Sequence, residues 1–217
     1  MAWRLLSRMV YACESEDLVE GTLINTLKTL KYPEKEKRFL NQKKADQEYE
    51  NQLHFWTAIF SSIRRIRRAP PAGCIQIIFT GCRSSHVQLA RHSFYLLKAL
   101  LETHPYEVGQ YFLTNLADGS FLSRASTDVM SCVYLMESCK AFIISTENDR
   151  DTGVPSVGPI ENTLIVVFKM LEDNRMKVRV ECVRILTEIP QGPSFKMAVK
   201  NLGGPDFVSR LTNAMLP

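Results

Sequence analysis

Apolar residues in this chain return every three or four positions, block after block, and nowhere do four or more clean apolar–polar alternations follow one another as a half-buried strand requires. That spacing predicts an all-α protein. Trp3, Leu6, Met9 and Val10 form one stripe, Leu18, Leu23, Ile24, Leu27 and Leu30 a second, and Trp56, Ile59, Phe60, Ile63 and Ile66 a third. Short turns rich in Gly, Pro, Ser and Asp separate the stripes, so consecutive helices are expected to fold back on one another as hairpins.

The same punctuation divides the chain. Residues 1–30 read as a first hairpin and 31–70 as a long basic helical region ended by Pro70-Pro71-Ala72-Gly73. Residues 72–145 read as two hairpins, with turns at Gly81 to Ser85 and Ala117 to Ser120. In the second of them one long helix is expected to carry Leu122, Val129, Cys132, Val133, Leu135, Met136 and Phe142. Residues 146–158, polar and interrupted by Gly and Pro, are expected to be a surface loop. A further hairpin and a shorter last one fill 159–217. Short hairpins in series suggest stacked units, about five to six of them in a single domain, rather than a closed bundle.

At 217 residues and 45% hydrophobic content the chain is expected to bury a sizeable core. No uncharged apolar run approaches the roughly 18 to 20 residues of a bilayer span, so no membrane role is expected. The six cysteines lack metal-ligand pairing, and the expectation is reduced thiols in the cytosol or nucleus. The acid-poor start, Met1 to Val10, has features of a mitochondrial presequence, but Glu14, Glu16, Asp17 and Glu20 follow closely and favour a first structural helix.

One segment goes beyond generic pattern. Pro159 precedes an apolar helix, Asp173 lies in the following turn, Val178-Arg179 open the next helix, and Leu186 continues it. Residues 159–189 thereby resemble a HEAT repeat, and 72–145 resemble it more weakly. The six-residue offset from Asp173 to Arg179 recurs from Asp118 to Arg124, and from Ser85 to Arg91. The resemblance to the HEAT and armadillo families implies a right-handed α-solenoid with a concave face. It also implies that Asp173, Arg179, Asp118, Arg124 and Arg91 belong to a polar ladder between repeats.

No nucleophile elbow, phosphate loop or zinc-protease motif is present, so catalysis and cofactors are not expected. Cys82 and His86 share a helical spacing but have no second ligand pair. Positive charge is concentrated in residues 31–68, which hold 10 basic and 5 acidic residues, net +5 against +4 for the whole chain. Within it Arg64, Arg65, Arg67 and Arg68 could meet nucleic acid or an acidic partner, or simply complement a helix C-terminus. The functional expectation is a protein-binding scaffold or adaptor, a section or subunit of a larger assembly. Its partner would be a peptide or helix in the concave groove, or a neighbouring subunit at the apolar ends formed by Trp3, Leu6, Phe207 and Leu211. The alternative is a nuclear, nucleic-acid-associated scaffold working through 31–68.

Overall fold

The computed structural model describes residues 72–148 and 157–204, together with 206, 209 and 213. The expected hairpin over 1–30, the basic region 31–70 with Arg64, Arg65, Arg67 and Arg68, and most of the last hairpin lie outside the described residues. Among the described residues there are helices and turns but no strand. The helices are α1 (Ala72–Cys82), α2 (Val87–Thr103), α3 (Pro105–Leu116), α4 (Gly119–Ala125), α5 (Val129–Asn148), α6 (Val157–Leu171), α7 (Met176–Glu188) and α8 (Pro193–Asn201).

Local chemistry sets the helix starts. Pro105 and Pro193 stand in the first turns of α3 and α8, where the absent N–H costs nothing and the fixed φ already suits a helix. Asp118 caps α4 by accepting from Ser120 N at 2.9 Å. His86 caps α2 through Nδ1, which accepts from Leu89 N at 3.3 Å. The first turn of α8 is completed from a distance, because the Glu147 carboxylate at the end of α5 accepts from Ser194 N at 3.1 Å and Phe195 N at 3.0 Å. Gly192 makes that approach possible, since a Cβ there would overlap the Glu147 side chain.

Two sequence expectations are corrected. The long helix after Asp118 is two helices, α4 and α5, broken at Ser126-Thr127-Asp128. Here the side chains of Ser126 and Thr127 bond back to Leu122 O and Arg124 O, while Asp128 takes Ser131 N at 2.9 Å and so starts a new helix. The span expected to be a surface loop, 146–158, is helical at both ends, because α5 runs on to Asn148 and α6 starts at Val157, two residues before Pro159, and 149–156 lie outside the described residues.

The helices touch in a regular order. Contacts run α1 to α3 to α6 to α8 along one row, and α2 to α5 to α7 along a second. Hairpin partners α1–α2, α3–α5 and α6–α7 join the rows, and α4 fills the corner between α1, α2, α3 and α5. Between the rows lies a continuous core in which Phe94, Phe112, Phe121, Leu89, Leu97 and Leu100 are fully buried. Three buried hydroxyls are satisfied within their own helices, Ser93 donating to Leu89 O, Ser138 to Tyr134 O and Thr163 to Pro159 O, while that of Ser131 donates to the Asp128 carboxylate. Gly109 lets α3 come close to α5, as a Cβ at that position would stand 3.0 Å from the Phe142 ring. The central helix α5 is long and apolar enough by composition to cross a membrane, with mean hydropathy 1.3, although Glu137 and Lys140 interrupt any uncharged run. In this fold it packs against helices of both rows.

Candidate interaction surface

The turns that join the first row to the second line up along one edge, and polar side chains tie each to the next. Arg83, just after α1, donates to the Asp118 carboxylate at 2.8 Å. Arg124 returns the link, its Nη2 donating to Ser85 O at 2.9 Å. Arg91 of α2 grips Asp128 with both arms of its guanidinium, at 3.0 and 2.7 Å. One turn further along, Arg175 forms the same two-armed pair with Asp173, at 2.8 and 2.7 Å, and also reaches Cys132 Sγ at 3.3 Å. Arg179 donates to the main-chain oxygens of Asp173 and Asn174, at 3.0 and 3.2 Å.

The five residues expected in an inter-repeat ladder all fall on this edge, but their partners differ from the six-residue offsets. Asp118 pairs with Arg83, Arg124 with a carbonyl of the preceding turn, and Arg91 with Asp128, 37 residues away. The Asp173–Arg179 contact runs through the Asp173 carbonyl, while the carboxylate belongs to Arg175. Periodicity marks equivalent positions; it did not single out Arg83, Asp128 or Arg175.

Electrostatics agree with this geometry. The hydrogen bond from Arg91 draws the Asp128 carboxyl down to about 2, against the opposing effect of burial. The hydrogen bond from Arg175 likewise lowers that of Asp173.

The outer face of the second row carries a different set. Tyr95 of α2 and Tyr134 of α5 meet edge to face, with centroids 5.3 Å apart. Beyond them Arg184 of α7 bonds Glu137, Glu181 and Glu188, and Lys140 of α5 bonds Glu137 and Glu188. Burial would raise the Glu137 carboxyl, but hydrogen bonds from Lys140 and Arg184 outweigh it and hold the group below its ordinary range. This network fastens α5 to α7 and leaves a half-exposed aromatic and charged surface across three helices.

Chemistry elsewhere is quiet. Cys82, Cys132, Cys139 and Cys182 are free and buried, and burial pushes each thiol upward, Cys132 to about 11, so they stay protonated at neutral pH. Among the described residues no group of three or more His, Cys, Asp or Glu side chains is placed to hold a metal ion. A shallow groove of about 150 Å³ between α3, α5 and α6 is lined by Tyr106, Leu113, Phe142 and Pro159, without an acid, a base or a nucleophilic thiol.

No family model, curated protein or solved structure matches the chain.

Proposed function

We propose that the chain is a HEAT/armadillo-like right-handed α-solenoid and serves as a non-catalytic scaffold that holds another protein. The observation that carries this reading is the contact order of the helices, α1–α3–α6–α8 in one row and α2–α5–α7 in the other. In such an arrangement each hairpin is stabilised by its neighbours, and the outer face of a row is left free for a partner. The face of α2, α5 and α7 is the better candidate, because Tyr95 and Tyr134 offer amphipathic rings of the kind enriched at interfaces and the neighbouring ion pairs fix the backbone beneath them. A peptide or helix of the partner would lie across these rings. The cytosol or nucleus suits the buried free cysteines.

The test is affinity capture with the full chain as bait, beside Tyr134→Ala and the fourfold Arg64, Arg65, Arg67, Arg68→Gln variant. Tyr134→Ala is expected to weaken the captured partners about fivefold or more, as truncating a central aromatic anchor does, while the melting curve stays cooperative. The fourfold variant is expected to keep them. The opposite pattern, together with steeply salt-dependent binding of duplex DNA, would replace this reading with a nucleic-acid scaffold working through 31–68.

A further inference from the structure

Phosphoryl transfer to a folded chain favours a hydroxyl that is exposed, uncommitted and outside a helix, where the flanking backbone can lie extended in a kinase cleft. Most exposed hydroxyls of the described residues fail one of these conditions. Thr80, Thr103, Thr114 and Thr187 donate to carbonyls of their own helices, and Thr127, in the break before α5, donates to Arg124 O. Ser120, Ser123 and Ser209 are helical. Ser85 is exposed, lies between α1 and α2, and its Oγ makes no hydrogen bond among the described residues. The residue after it, His86, has extended backbone, with φ −80° and ψ 109°.

From these features we infer that Ser85 is a phosphorylation site, read by an arginine-directed protein kinase through Arg83, two residues before it. The Ser85 oxygen bonds to the γ-phosphorus of ATP, its proton passes to a base of the kinase, and the bond to the departing ADP breaks. The turn is shaped to keep the product. Arg124 Nη2 donates to Ser85 O at 2.9 Å, while Arg124 Nε, on the same edge of the guanidinium, is buried without an acceptor. In Arg91 that edge holds both oxygens of Asp128, so Arg124 has one donor left to give a phosphate oxygen. Arg83 spends one donor on Asp118, and its side chain is 35% exposed. Helix α2 has no acid in its first turn, and the N–H groups of Val87 and Gln88 have no acceptor among the described residues. A dianion there meets the positive end of the helix dipole. Phosphate on Ser85 thereby fastens the turn before α2 to α4, coupling the first hairpin to the second.

The experiment incubates the full chain with ATP and a panel of arginine-directed kinases and maps the phosphopeptides by mass spectrometry. Ser85 should take up phosphate, and Ser85→Ala should lose that phosphopeptide. Phosphoserine installed at position 85 of the full chain should raise Tm by about 2–4 °C, and Arg124→Gln should remove the gain. The inference is overturned if Ser85 stays unmodified with every kinase, if the phosphate lowers Tm, or if it raises Tm as much in the Arg124→Gln variant as in the parent. Should Arg124→Gln fail to fold, a phosphorus NMR titration of the phosphorylated parent decides the matter. A second phosphate pKa below its ordinary value of about 6 supports the Arg124 contact, and an unshifted one overturns it. The Tyr134→Ala capture result does not involve Ser85, so the scaffold reading and the phosphorylation site can fail separately.

Discussion

Phe121→Ala is expected to lose about 3–5 kcal/mol of unfolding free energy, the usual range for deleting a buried aromatic side chain. Phe121 belongs to the short helix α4, yet it is fully buried and touches rings from two other helices, Phe79 of α1 at 5.9 Å and Phe94 of α2 at 5.1 Å. The Arg83 guanidinium lies over the ring, 5.9 Å from its centroid. The truncation therefore removes the peg that holds α4 against the first hairpin, and a cavity remains because helices from both rows fix its walls. Since whole domains are stable by only about 5–15 kcal/mol, this one change should take a large share of the total. Urea denaturation measures it. A loss below about 1 kcal/mol would place Phe121 outside the core.

Asp128→Asn is the second large effect and has a pH signature. In the folded protein the Asp128 carboxyl is held at about 2 by Arg91, against a usual value of 3.8. A carboxyl lowered on folding stabilises the protein above its unfolded value, and that stability is lost as pH falls through the folded value. The pair is mostly shielded, with the Asp128 side chain 13% exposed, so the shift of nearly two units corresponds to about 2 kcal/mol at neutral pH. The asparagine variant should be weaker by about that amount at pH 7, and its deficit should close between about pH 4 and pH 2 as the parent carboxyl takes up its proton. Parallel denaturation curves at pH 7 and pH 2.5 test this. A deficit that stays constant across the window would mean that Asp128 acts through shape or helix capping alone, without the charge pair.

These two residues also show what could be read before the fold was seen. The stripe containing Val129, Cys132, Leu135 and Met136 was legible as a helix because its core face repeats with the helical period. The break ahead of it was not, because Ser126, Thr127 and Asp128 occur in helices as well as at their ends, and only their bonds to Leu122 O, Arg124 O and Ser131 N decide the matter. Turn positions such as Asp118 and Asp173 could be found from spacing. Their partners could not, since Arg83 meets Asp118 across 35 residues and Arg91 meets Asp128 across 37, distances in sequence that only the stacking of hairpins brings together. The Tyr95–Tyr134 pair was hidden for the same reason: each ring lies on a helix edge, and neither stripe alone says which helix lies alongside.

The order of the rows underlies every functional statement above, and site-specific photo-cross-linking tests it most directly. Benzoylphenylalanine in place of Tyr95 on α2 should give adducts in α5, the next helix of its row, around Tyr134. Placed at Tyr134 it should give adducts back in α2. Adducts from position 95 concentrated in α7 or α8, with α5 unlabelled, would contradict the stacked arrangement and the binding face built on it.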